Sequence, residues 1–277
     1  MHYRNFLHRA RHRFAHAAAI VLISGAGATP AFAAPDWDMM GLKLGMTEAE
    51  VRAALQAYDA KGKIIASNSA YSYSDKVTRF STPPFLNTLE LRITRLSIET
   101  PLKVWFSGPI GDARAIAILR QEYNIPNPPT GEQFMRTLAG KYGEPSTLNS
   151  ANVPTWEETG KPSCIWVASG ANDRRVDFNP FSSNLNHIRD FAEAVAEMER
   201  RQEGTGGTRG VFPADLTTCG AFMYYTGTNN NPANHFMAAM FDVGAIIATH
   251  RARNTWVDGL ETEAIRKREG QAQAPRL

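Results

Sequence analysis

Three histidines stand far apart in the body of the chain, His187, His235 and His250. An imidazole serves as a metal ligand or proton carrier only with partners at set spacing. No HExxH run occurs, and no cluster of cysteines or carboxylates completes a zinc-ligand pattern, so each histidine reads as a surface or hydrogen-bonded residue. His187 and Asp190 share a helix face at i and i+3, a spacing that a local ion pair explains as well as an acid–base pair would. Ser169 precedes Gly170 but lacks the leading glycine of a nucleophile elbow. Glu157 and Glu158 are consecutive, which on a strand sends them to opposite faces and prevents paired carboxylate work. EGTGGTRG, residues 203–210, misses the GxGxxG spacing and follows no strand, so it is a connector and not a phosphate loop. The residue types thus support neither a catalytic centre nor a metal or cofactor site.

The two cysteines, Cys164 and Cys219, carry the remaining chemistry. In an oxidising compartment they pair most simply with each other, closing a loop of about 56 residues worth roughly 4 kcal/mol by loop entropy. The alternative is a reactive thiol, for which neither a CxxC motif nor a neighbouring cation is present to lower a pKa.

The compartment is legible at the amino terminus. Residues 1–33 hold Arg4, Arg9, Arg11 and Arg13 with no acid, then the apolar run AAAIVLISGAGA, then Ala31-Phe32-Ala33. This is the pattern of a secretory signal peptide cleaved near Ala33, its apolar run too short to span a bilayer. No cysteine adjoins the cleavage site to take a lipid, and no later stretch is apolar enough to span a membrane. A soluble periplasmic or secreted protein is expected, without a lipid anchor or transmembrane segment. Of the 30 Lys and Arg residues, removing these four leaves 26 against 27 acids, so the formal +3 becomes about −1 and a nucleic-acid partner loses its electrostatic basis.

The elements that would position any site begin at GLKLGMTEAEVRAAL, residues 41–55. Thr47 and Glu50 form a capping box, and Val51, Leu55 and Tyr58 make one apolar stripe. The same grammar recurs in residues 128–146, where Thr130 and Gln133 repeat the box, Phe134, Leu138 and Tyr142 the stripe, and Gly143 and Pro145 end the helix. Strand-like alternation follows each helix. In the first stretch it runs through TLELRIT, slips phase near Thr94 where a bulge or tight turn is expected, resumes to Phe106, and continues after a hairpin connection into ARAIAILRQEY. In the second it appears in SCIWVAS, RRVDF, CGAFMYY, HFMAAMF and AIIATH, with Asp242-Val243-Gly244 read as the turn between the last two.

These patterns predict an α+β fold of two tandem units, each a capped helix packed on its own antiparallel sheet: residues 34–127, then 128–255 with an inserted helix at 184–201 and the connector 203–210. A C-terminal helix and disordered tail occupy 256–277.

LKLGMTEAEVRAAL resembles the LGMT-x-x-EV helix opening of periplasmic proteins related to the outer-membrane-assembly lipoprotein domain SmpA/OmlA. The repeated helix-then-strand order, with KYGEPS after the second helix, is similar to the tandem architecture of secreted β-lactamase inhibitor proteins. The resemblance implies a curved antiparallel sheet backed by helices and a protein-binding role. This chain departs from it in lacking a lipid-attachment cysteine and in carrying the inserted helix and connector.

Alternation places Trp105 in register with Arg95, Ser97, Glu99 and Lys103, and sets Phe222 and Tyr224 opposite Cys219, Ala221 and Met223. If that sheet side is open, these aromatics make a protein-docking face. If the other sheet or the connector covers it, they are core. The functional expectation is a non-catalytic binding or adaptor protein with an envelope protein as partner. The alternatives are a secreted hydrolase with an unrecognised centre and an inhibitor of a cell-wall or β-lactam-cleaving enzyme.

Overall fold

The computed structural model describes residues 35–95, 98–99, 102–148, 153–164, 166–169, 175–178, 191–203, 212–227 and 231–271. The expected signal peptide, the first part of the inserted helix with His187, the connector from residue 204 and the tail after residue 271 lie outside these residues. In chain order the elements are α1 (Glu48–Tyr58), β1 (Lys63–Ser69), β2 (Ser72–Ser74), β3 (Arg79–Ser81), β4 (Phe85–Arg92), β5 (Thr94–Arg95), β6 (Ile98–Glu99), β7 (Leu102–Phe106) and β8 (Ala115–Glu122). There follow α2 (Gly131–Tyr142), β9 (Thr147–Leu148), β10 (Pro154–Glu157), β11 (Trp166–Ser169), β12 (Arg175–Phe178), α3 (Ala192–Gln202), a 3-10 turn (Leu216–Thr218), β13 (Ala221–Thr226), β14 (Phe236–Asp242) and α4 (Val243–Gln271).

Both early helices start where the local chemistry closes their free ends. The Glu50 amide donates to Thr47 Oγ1 at 3.3 Å while the Thr47 amide donates to Glu50 Oε2 at 2.7 Å. At α2 the Gln133 amide donates to Thr130 Oγ1 at 3.2 Å and the Thr130 amide to Gln133 Oε1 at 2.9 Å. Each box satisfies two amide donors that a helix start leaves without an intrahelical acceptor. Thr47→Ala therefore lowers the unfolding free energy by about 1 kcal/mol, and Thr47→Ser restores most of it, as read from urea denaturation midpoints.

The fold is α+β, but the strands do not divide into one sheet per helix. Eight of them form a single sheet in the order β1-β4-β7-β8-β14-β13-β10-β9. The two stretches of sequence meet where β8 pairs antiparallel with β14, from Ala117↔Phe241 to Glu122↔Phe236. The phase slip at Thr94 is a separate two-residue hairpin, β5 against β6, which steps out of the sheet before β7 re-enters it.

Alternation along the strands, with a register shift between Trp105 and Phe106, gives the sheet two apolar faces. One buries Leu102, Val104 and Phe106 of β7 with Met223 and Tyr225 of β13, against Val51 and Leu55 of α1 and Leu138 of α2. The other buries Trp105, Ala117, Leu119, Phe222, Tyr224 and Phe241 against Val195 and Met198 of α3 and Val243, Ile246 and Ile247 of α4.

The second face corrects two expectations. AIIATH is not a strand: it lies in the first turns of the 29-residue α4. Asp242 starts that helix by accepting the Ala245 amide at 2.9 Å through Oδ1, so Asp-Val-Gly is a strand-to-helix junction and not a hairpin turn. The helix then covers the aromatic side of the sheet. Trp105, Phe222 and Tyr224 are 1%, 2% and 3% exposed, and no open docking face exists at these residues. Phe191 wedges between the layers, its ring 5.8 Å from Trp105 and 6.1 Å from Phe241.

Candidate functional site

His187 and Asp190 lie outside the described residues, and His235, His250, Glu158 and the two cysteines make structural contacts. The His235 ring stacks on Tyr123, and its Nδ1 lies 2.9 Å from Asn234 Oδ1. His250 on α4 bonds Asn254 at 3.1 Å. Glu158 receives the Ala221 amide at 2.9 Å and the Lys161 ammonium at 3.0 Å, bracing the end of β10 against β13. Cys164 and Cys219 are joined as a disulfide with Cα atoms 5.7 Å apart. Among the described residues no group of three or more His, Cys, Asp or Glu side chains is placed to hold a metal ion.

Burial raises the Asp242 carboxyl above its usual range, opposed by the Ala245 amide and Lys161 and reinforced by Glu158. A raised carboxyl marks a candidate general acid only where substrate reaches it. The hollow beside the disulfide, lined by Glu158, Cys164 and Phe222 and not by Asp242, measures about 10 Å³, room for a single water.

A larger opening lies at an arm that leaves the main sheet. β1 and β4 pair from Lys63↔Arg92 to Ser69↔Phe85, and the same two strands of chain continue as the hairpin β2–β3, from Ser72↔Ser81 to Ser74↔Arg79. Between the ladders stand Ala70 and Tyr71 on one side and Thr82, Pro83 and Pro84 on the other. Prolines have no N–H to donate, so the ladder breaks there. The break is held by the Thr82 amide donating to the Tyr71 carbonyl at 2.8 Å and by stacking of Tyr71 on Phe85 at 5.3 Å.

From Arg253 onward α4 runs alongside this arm, packing against β2 and touching the arm at its base and its tip. At the base the Arg253 guanidinium sits 4.9 Å from the centre of the Tyr71 ring, a cation–π contact. At the tip Asp75 accepts the Val77 and Thr78 amides at 3.0 and 2.6 Å through Oδ1, forming the turn, and accepts Arg268 Nε through Oδ2. Arg268 Nη2 also donates to Thr78 Oγ1 at 2.7 Å. Fifteen residues of helix separate the two arginines, about 22 Å of rise.

Between these contacts opens a cleft of about 720 Å³. Tyr73 and Phe80, stacked at 5.4 Å, form the arm's wall. The helix supplies two ridges at four-residue spacing: Leu260, Ala264 and Arg268, then Glu263, Lys267 and Gln271. Aromatic, aliphatic and charged groups thus converge on one opening of ligand-site size. Phe80 is 37% exposed and Val77, at the arm's tip, 75%.

Burial pushes the Asp75 carboxyl up, but the Thr78 amide, Arg268 and the Val77 amide outweigh it and hold the group below its ordinary 3.8. A carboxyl lowered in the folded state stabilises above its unfolded pKa. The contribution is in place at neutral pH and is lost as pH falls through the lowered value.

Sequence patterns did not reveal this site. Asp75 and Arg268 are 193 residues apart, and the arm's SYSDKVTRF carries neither a motif nor a strong apolar alternation. The one local signal was Asp75 followed three residues later by Thr78, a turn-forming pair. No family model, curated protein or solved structure matches the chain. Among the described residues no helix is long and apolar enough to cross a membrane.

Proposed function

We propose that this chain is an exported, non-catalytic binding protein of the periplasm that engages an envelope component through the cleft between the β2–β3 arm and α4. The open cleft carries this reading: its walls combine exposed aromatic surface with charged side chains, the composition that recognition sites use for affinity and orientation. The disulfide fits an oxidising compartment, and the amino-terminal run of arginines, apolar residues and Ala-Phe-Ala fits export. The resemblance of residues 42–55 to envelope-assembly proteins points the same way.

A photoreactive phenylalanine analogue placed at Phe80 or at Tyr123 tests the proposal in intact cells. Both side chains are exposed, at 37% and 44%, but Tyr123 lies outside the cleft lining. The expected result is a discrete adduct from position 80 that Lys267→Ala weakens, with none from position 123. The same adducts from both positions, or none from position 80, would remove the cleft as the contact site.

A further inference from the structure

The geometry points to the β2–β3 arm being a latched strap that forms one side of the cleft, fastened at its tip by the Asp75–Arg268–Thr78 contact and hinged where the ladder breaks at Ala70–Tyr71 and Thr82–Pro84. The strap assigns regulation to the cleft, and in that sense rests on the cleft's being a binding site. Its motion is a property of the chain alone.

The break in the ladder supplies the hinge. Beyond it the arm has three paired residues per strand, and Arg79, Phe80 and Ser81 of β3 are all exposed, so the hairpin has no apolar face packed into either core. A two-stranded hairpin of that length is marginal by itself in water and holds its shape only when something packs or pins it. The pin comes from α4, and among the described residues both hydrogen bonds from α4 to the tip come from Arg268.

Asp75 joins the pin to the turn. It is 6% exposed although its neighbours Lys76 and Val77 are exposed, because one carboxylate oxygen is committed to the turn amides and the other to the arginine. Losing Arg268 therefore frees the tip from the helix and removes the cation that faces the turn's central carboxylate. With the tip released, the wall carrying Tyr73 and Phe80 swings from the helix ridge and the cleft changes from a closed loop to an open groove.

Hydrogen exchange of the intact oxidised protein, followed by mass spectrometry at neutral pH, reads this directly. In Arg268→Ala, peptides covering Ser72–Ser81 are expected to exchange roughly tenfold faster, while β4, β7, β8 and the first turns of α4 keep wild-type protection. Lys267→Ala is the control: Lys267 lines the same cleft one residue away but is not bonded to the arm's described residues, and its arm should exchange as in wild type. Arg268→Lys, which keeps the charge but not the two-pronged geometry, should fall between. An arm unchanged in Arg268→Ala would overturn the latch. Acceleration spread evenly over the whole sheet would also overturn it, since the arginine would then be supporting global stability. These readouts use no ligand, so they stand apart from the outcome of crosslinking at Phe80.

Discussion

Trp105→Ala is expected to lower the unfolding free energy by about 3–5 kcal/mol, the range for deleting a large buried aromatic. In a domain of this size that corresponds to a fall in Tm of roughly 10 °C. The cost is high because of where the ring sits. Trp105 lies on the interior strand β7, 1% exposed, under α3 and α4, with Phe191 at 5.8 Å and the Lys103 ammonium 4.8 Å from its centre. Interiors are close-packed and relax little, so truncation leaves a void between sheet and helices. Trp105→Phe, which keeps an aromatic contact with Phe191, should lose less than half as much. A Trp105→Ala protein with wild-type stability would mean that the second face is not packed. The same logic applies to Phe222 and Tyr224: their alanine variants report on folding, and any loss of partner binding in them follows from that.

Removing the disulfide is expected to cost about 2–4 kcal/mol, whether by reduction or by replacing both cysteines with serine. The bridge closes a stretch with a sequence separation of 55 and ties the loop after β10 to the 3-10 turn that leads into β13. The effect reaches α4 through one close approach. A Cβ on Gly244 would fall 2.4 Å from the Thr217 carbonyl oxygen and 2.8 Å from that of Cys219, so the first turn of α4 rests directly on the segment the cystine anchors. Thermal unfolding with and without reductant measures the loss. Reduced wild type and the Cys164→Ser/Cys219→Ser double variant should coincide. Gly244→Ala, which must push that backbone aside, should destabilise the oxidised protein in the same region.

What could be read from sequence was what local chemistry decides. Thr47 with Glu50, and Thr130 with Gln133, mark helix starts because the bonds involved span three residues. The cysteine pairing was legible because the chain holds two cysteines, and most strands were legible from alternation. What escaped were decisions made between distant segments. AIIATH is β-rich in composition, yet Val243, Ile246 and Ile247 stand at the i, i+3, i+4 spacing of a helix stripe, and tertiary packing on the aromatic face selects the helix. The single sheet depends on β8 choosing β14, and alternation along a strand says which faces are apolar without naming the neighbour. That each face of the sheet is covered follows from α3 and α4 arriving on the side opposite α1 and α2. The cleft was the least legible feature because it exists only where residues 72–81 meet residues 260–271.

The sheet's aromatic side is interior, and the proposed recognition surface is the arm and its cleft. Hydroxyl-radical footprinting of the intact oxidised protein tests it side chain by side chain. After correction for intrinsic reactivity, Phe80 and Tyr123 should oxidise readily, while Trp105, Phe222 and Tyr224 should react no faster than the core residue Phe241. Oxidation of those three at the rate of Phe80 would show the second face to be open and would contradict the account.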